Sequence, residues 1–194
     1  MNYLAHAFLS GADEELLVGN FIADSVRGSQ LQLFPARIAQ GIVLHRQIDA
    51  FTDSHPIVQL SKERLRPQYH KYAGVVTDIF YDHFLAANFS QFSLFSLSQY
   101  AQHVYAVVNR FETLLPEKVN YFLPYMIKQN WLLGYAELTG IQKALTGLSR
   151  RTTFISNMET AADELEENYA FYAIEFFQFF PELQAYVQKQ LLKL

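Results

Sequence analysis

Cysteine is absent from this 194-residue chain. A disulfide scaffold, a thiolate metal site and a cysteine nucleophile are thereby excluded, and any metal must be held by His, Asp, Glu or carbonyl oxygen. Glycine and proline are scarce, 8 and 6 residues, so they act as punctuation between long elements. No run of about 18 uncharged apolar residues occurs, and no membrane span is expected. The N-terminus, Met1-Asn2-Tyr3-Leu4-Ala5-His6, lacks a basic stretch ahead of an apolar one. It does not read as a secretory signal, and the cytoplasm is the expected compartment. Positive charge is also short. Fifteen Lys and Arg against nineteen Asp and Glu give a formal charge of −4, the wrong sign for a bulk electrostatic nucleic-acid binder. Neither nucleic acid nor membrane is expected as a partner.

Apolar and aromatic surface is abundant instead. Hydrophobic residues make up 51% of the chain, with 17 Phe, 12 Tyr and 1 Trp. Such a chain has enough surface to bury, and intrinsic disorder is excluded. Its length suits one domain, 1–194, with a proper core. The hydrophobic pattern is helical almost throughout, with no alternating strand, internal repeat or linker. Helices are expected over 2–10, over 14–26 with Asp13 as cap, and from Pro35 to about Thr52. A further helix runs from Pro56 to about Leu65, ended by Pro67, and 68–88 reads as one long helix. A Ser/Phe/Gln-rich connector follows from 88 to 98. Helices are then expected over 98–115, 116–128 and 137–150, and over 157–192 with a restart at Pro181. The fold class is all-α.

Ionisable residues interrupt the interior stripes, which recur at i, i+3, i+4 and i+7. One stripe runs Ile38, Ile42, His45, Asp49; another runs Val75, Asp78, Asp82, Leu85. Leu17, Asn20, Phe21 and Asp24 share a face, and His6 lies with Tyr3 and Ser10. A single such histidine is more often a hydrogen-bonded core residue, and a single aspartate can pair with Arg27 or Arg46. Several together are harder to explain that way, because burying carboxylates without a cation is expensive. Imidazole plus carboxylate suits Mn, Fe, Zn or Mg more than copper. A metal site and a buried ion-pair network both remain open on spacing alone. Arg27 and Arg46 near such a site would suit a phosphate ester, although either alone reads as a surface residue. No glycine-rich phosphate loop is present.

These segments resemble the acyl carrier protein phosphodiesterases over essentially the whole chain. The matching stretches are Met1-Asn2-Tyr3-Leu4-Ala5-His6, Gly19-Asn20-Phe21-Ile22-Ala23-Asp24 with Val26-Arg27-Gly28, and His45-Arg46-Gln47-Ile48-Asp49 with Thr52-Asp53. Asp78 with Asp82-His83-Phe84-Leu85 completes the set, while Gln129-Asn130-Trp131-Leu132 and Arg150-Arg151 are less specific. The resemblance implies hydrolysis of the phosphodiester that joins 4′-phosphopantetheine to a serine of holo-acyl carrier protein. It implies a divalent metal, Mn²⁺ favoured, and an architecture like that of HD-domain metal-dependent phosphohydrolases. The chain departs from the HD signature, however. It has no His-Asp dipeptide and carries the reversed order Asp82-His83, so ligand roles do not transfer from ordinary HD enzymes.

On this reading His45, Asp49, Asp78 and Asp82 are the expected metal ligands. His6 and Asp24 complete or bridge the site. Arg27 and Arg46 hold phosphate oxygens, and His83 protonates the leaving alkoxide. Asp53 stands behind the ligands or at the helix end. Carrier proteins of this kind are acidic, so docking calls for a local basic patch. Lys62, Arg64, Arg66, His70 and Lys71 provide one, interrupted only by Glu63; Arg150 and Arg151 are the alternative. A run of charge is ordinarily a solvated helix face. The rival readings are an HD-type hydrolase of a nucleotide or small phosphate ester, and a non-enzymatic carrier-protein-binding module.

Overall fold

Capping chemistry sets several helix starts. Asp13 accepts the Leu16 N–H at 2.9 Å and opens a helix whose first turn carries Glu14 and Glu15, as the helix dipole favours. Ser96 and Gln99 form a reciprocal capping box further along, satisfying two otherwise orphaned donors. The computed structural model describes residues 1–194 and is built of helices alone. In chain order these are α1 (Tyr3–Leu9), α2 (Glu14–Ile22), α3 (Ala36–Ser54), α4 (Pro56–Tyr69), α5 (Ala73–Ala87) and α6 (Leu97–Arg110). Then come α7 (Glu117–Lys128), α8 (Trp131–Gly134), α9 (Leu138–Ser149), α10 (Ala161–Glu167) and α11 (Tyr169–Leu191). No helix is long and apolar enough to cross a membrane.

Several boundaries differ from the sequence reading. Pro67 does not end α4, which runs on to Tyr69. The break comes at His70, whose φ of 48° takes the chain out of the helical region. A short 3-10 turn, His70–Tyr72, then separates α4 from α5, so 68–88 is not one helix. Near the C-terminus the break falls at Asn168, where φ is −113° and ψ is 21°. Pro181 lies inside α11. The short α8 and the 3-10 segment Gly28–Leu33 have too few residues to show a hydrophobic period.

One apolar core runs from Met1 to Val187 and draws on every long helix. Helix α5 is its axis: Val76, Thr77 and the continuous stretch from Ile79 to Ala86 are all buried. From Ile79 to Ala86 the helix is enclosed on all sides and shows no polar face, so even Asp82 and His83 are inside. Aromatic side chains of α11 pack on it, with Phe176 against Phe84 and Tyr81, and Tyr172 edge-on to Phe80. Helices α2 and α3 cross where Gly19 meets Gly41. A β-carbon on Gly19 would stand 2.0 Å from the Ile38 carbonyl oxygen, and one on Gly41 would stand 2.3 Å from that of Leu16. Only glycine permits this approach. It puts the last turn of α2 directly against the middle of α3.

Candidate metal centre

The α2–α3 crossing brings Asn20, one residue after Gly19, up to His45, one turn after Gly41. Helix α1 adds His6. The two imidazoles stack with centroids 3.8 Å apart and an interplanar angle of 16°. Asp49 lies one turn beyond His45 on the same face of α3. Its carboxylate reaches both rings, at 3.1 Å from His6 Nε2 through Oδ1 and 3.1 Å from His45 Nε2 through Oδ2. Asp24, on the 3-10 turn that continues α2, contacts His45 Nε2 at 3.2 Å. Ligand atoms of His6, His45 and Asp49 all lie within 4.8 Å of one another. Both histidines are buried, whereas Asp49 is partly exposed and Asp24 is open to solvent. The site is thus closed on the imidazole side and open on the carboxylate side.

Its electrostatics are unbalanced. Burial, helped by the neighbouring His45, pushes His6 down to about 4. Burial works the same way on His45, but the hydrogen bonds and charges of Asp24 and Asp49 overcome it and push His45 up to about 9. Burial would raise Asp49, yet the bonds to His45 and His6 hold its carboxyl far below the usual carboxylate range. The His45 hydrogen bond likewise lowers Asp24. At neutral pH His6 therefore carries one ring proton. Its Nδ1 faces Asn20 Oδ1 at 2.8 Å and its Nε2 faces Asp49 at 3.1 Å. Both neighbours are acceptors, so one ring lone pair points at an oxygen lone pair with no hydrogen between them. A cation on the carboxylate side relieves this clash. Two imidazole nitrogens and carboxylate oxygens are a donor set suited to Mn, Fe or Zn. The residues fit a divalent metal.

The structure brings His6, Asp24, His45 and Asp49 into contact and gives Asp78 and Asp82 partners of their own beside them. Asp78 pairs with the Met1 amine at 2.7 Å. Asp82 accepts the N–H groups of Asn2, Leu4 and Ala5 at 3.1, 2.8 and 3.3 Å. It caps α1, whose first N–H groups have no partner within the helix. Backbone dipoles and an amine thus face the Asp/Asp pair, yet burial outweighs them, raising Asp78 and pushing Asp82 up to about 7. His83 is not poised to donate a proton at this site. Its Nδ1 bonds the Tyr135 carbonyl at 2.8 Å and its Nε2 meets the Tyr169 hydroxyl at 3.0 Å, and burial lowers its pKa.

The basic residues also divide. Arg27 and Arg46 are both exposed, and Arg46 Nη2 donates to the Val26 carbonyl at 3.3 Å. Arg64 is removed from any docking patch by two bonds to buried Glu175, at 2.9 and 2.6 Å, and it lies over the Phe171 and Tyr172 rings. Positions 62 and 66 share a helix face that 64 does not. Lys62, Arg66, His70 and Lys71 accordingly line one cleft of about 530 Å³, with Asp53 at its edge bonded to Lys62 at 2.7 Å. Arg150 and Arg151 are exposed, and Arg151 Nε caps back onto the Gly147 carbonyl at 2.9 Å. The role of Asn20 was missed. Its face was visible in the sequence, but an amide between apolar residues carries no charge signal.

The model of the family described as acyl carrier protein phosphodiesterase matches residues 1–183. A protein of that name from Photorhabdus laumondii is 33% identical over 182 residues, covering 93% of this chain and 92% of its own. One from Enterobacter sp. strain 638 is 32% identical over 187 residues, covering 94% and 95%. One from Escherichia coli K12 is 32% identical over 196 residues, covering 99% and 100%. No solved structure matches the chain significantly. With a family match spanning nearly its whole length and relatives above 30% identity aligned end to end, the chain belongs to the acyl carrier protein phosphodiesterase family.

Proposed function

We propose that this chain is a divalent-metal-dependent phosphodiesterase that hydrolyses the 4′-phosphopantetheine–serine linkage of holo-acyl carrier protein. Apo-carrier protein and phosphopantetheine are the products. The observation that carries the metal is the His6 ring, neutral and flanked by acceptors on both nitrogens. His6, His45 and Asp49 would hold the cation, with Mn²⁺ preferred and Mg²⁺, Fe²⁺ or Zn²⁺ compatible with the same donors. When bound, such a cation supplies Lewis acidity toward a phosphoryl oxygen and lowers the pKa of water.

The chain's own residues do the rest. Asp24 stands at the open side of the site with its carboxylate on His45 Nε2, where it can complete the ligand set or accept a proton from water. Arg27 follows Asp24 by three residues, on backbone that turns extended at Val26, and Arg46 adjoins His45 with its guanidinium on the Val26 carbonyl. Both are free to bind phosphate oxygens as charge builds on them. The alkoxide leaving from serine takes its proton from solvent, because His83 has both ring nitrogens engaged. Docking of the carrier protein falls to the basic cleft of Lys62, Arg66, His70 and Lys71. Asp53, at its edge, lies one turn of α3 beyond Asp49, about 6 Å along the helix axis. Histidines and carboxylates carried on packed helices also fit an HD-domain-like architecture, and the reaction is assigned to the cytoplasm.

Mass spectrometry of holo-carrier protein incubated with this protein and Mn²⁺ tests the proposal. The expected result is loss of the phosphopantetheine mass, abolished by a chelator and restored by added Mn²⁺. An intact prosthetic group, or full activity after exhaustive chelation, overturns it.

A further inference from the structure

We infer that Asn20 is the residue that sets the tautomer of both site histidines, and so aims their two Nε2 lone pairs at one point. The inference rests on the metal-site reading above for its consequence, but not for its geometry. Asn20 is fully buried. Its amide nitrogen donates to the His6 carbonyl at 2.8 Å and to Ser10 Oγ at 3.0 Å. The Ser10 hydroxyl proton is committed to that same His6 carbonyl, at 2.9 Å. Ser10 Oγ and the carbonyl are therefore acceptors toward Asn20, which fixes which end of the amide is nitrogen. The amide oxygen must then face the imidazoles, at 2.8 Å from His6 Nδ1 and 3.1 Å from His45 Nδ1.

An oxygen with two lone pairs can accept from both rings at once. With a cation on the carboxylate side, each ring keeps its proton on Nδ1 and turns its Nε2 lone pair to the cation; without one, the Asp49 carboxylate, 3.1 Å from His6 Nε2, competes with Asn20 for the His6 proton. A metal-binding histidine ordinarily has its other nitrogen fixed by a carboxylate, a carbonyl or water. Here one side chain performs that service for two ligands on different helices. The two histidines do not depend on it equally. His45 Nδ1 has a second acceptor, the main-chain carbonyl of Asn20, at 2.9 Å. The side-chain amide is the acceptor on which His6 Nδ1 depends.

That asymmetry distinguishes positioning from a merely structural role. In ¹⁵N-labelled protein, the two ring nitrogens of a neutral histidine differ in chemical shift according to which bears the proton. Wild type loaded with Zn²⁺ is expected to show both His6 and His45 protonated at Nδ1. Asn20→Ala is expected to mix the His6 tautomers while His45 keeps its Nδ1 proton. Its affinity for Mn²⁺, read by electron paramagnetic resonance of free ion, should fall about 10- to 100-fold. Asn20→Asp keeps an acceptor in place and should keep the His6 tautomer.

Protonation of His6 at Nε2 in the Zn²⁺-loaded wild type overturns the inference, whether or not the variants fold. So does an Asn20→Ala protein with unchanged tautomers and unchanged Mn²⁺ affinity. A wild type that holds the Nδ1 tautomer but binds no metal sustains the role of Asn20 and defeats the metal reading instead.

Discussion

Gly41→Ala is the smallest change that separates the fold's demands from the site's. The added carbon would meet the Leu16 carbonyl oxygen at 2.3 Å, Gly19 Cα at 2.9 Å and the Asn20 nitrogen at 3.0 Å. All three are backbone atoms, and ordinary contact begins at 3.4 Å. No side chain can rotate away, so α2 and α3 must part by about 1 Å. Overpacking of this kind costs about 1–3 kcal/mol, and rigid backbone on both sides puts it at the upper end. The higher helix propensity of alanine returns about 1 kcal/mol. A net loss of about 2 kcal/mol lowers Tm by about 4–8 °C in a chain of this size. Separation of the helices also stretches the bonds from His45 Nδ1 to Asn20, now 2.9 and 3.1 Å, so Mn²⁺ affinity should fall as well. Scanning calorimetry and Mn²⁺ titration read the two effects. Gly28→Ala is the control, since nothing lies within 4 Å of its added carbon. A Gly41→Ala protein with unchanged Tm and unchanged metal affinity refutes the reasoning.

Metal removal should expose a pH dependence on the alkaline side. His45 is raised to about 9 when folded, so its stabilisation is complete below about pH 6.5 and is lost as pH rises through 9. His6, lowered to about 4, makes folding costlier as pH falls from about 6.5 toward 4, while Asp82, raised to about 7 by burial, opposes it over the same range. Chelated protein should therefore lose Tm as pH rises from about 7 through 9, and an unchanged Tm over that range contradicts the assignment. Mn²⁺ must displace the His45 proton, so its affinity should climb with pH up to about 9; titration at pH 6, 7 and 8 checks the sign. Asp82→Ala should lower Tm by about 4–8 °C, because a lost cap and buried N–H groups without partners cost about 2 kcal/mol together. An unchanged Tm would show that Asp82 does not hold α1. Charge reversal at Arg66 and Lys71 should raise KM for holo-carrier protein at low salt, while turnover of a small phosphodiester stays unchanged. Arg64→Ala should instead lower Tm with little effect on KM, since Arg64 answers the buried Glu175. The opposite pattern would return Arg64 to the docking face.

The helices and half of the site were legible in the sequence for reasons that have limits. The His45/Asp49 spacing places two side chains on one face of α3 whatever surrounds them, so that pair could be read directly. Asp78 and Asp82 have the same spacing and a different fate. Periodicity gives a residue's face but not what stands opposite it, and here that is the N-terminus of α1. The basic run 62–71 shows the same limit within a single helix. Composition groups Lys62, Arg64 and Arg66, whereas 3.6 residues per turn sends Arg64 to Glu175 and leaves the other two in the cleft. Asn20 lay beyond charge-based reasoning altogether, because its role is that of a neutral acceptor between two rings.

Helix α1 explains why these separate findings form one device. It has 7 residues, too few to be stable alone in water. Its N-terminal N–H groups are held by Asp82 from α5. Near its C-terminus, the His6 carbonyl is held by Asn20 from α2 and by Ser10. His6 is thus presented by a short segment clamped at both ends, one clamp belonging to the core axis and the other to the glycine crossing that also positions His45. The aspartates first read as ligands still serve the site, by fixing the element that carries one. The stacking of His6 on His45, with a single amide behind both rings and two carboxylates in front, follows from where three helices are pinned. No one of these helices contains enough of the site to bind a cation by itself.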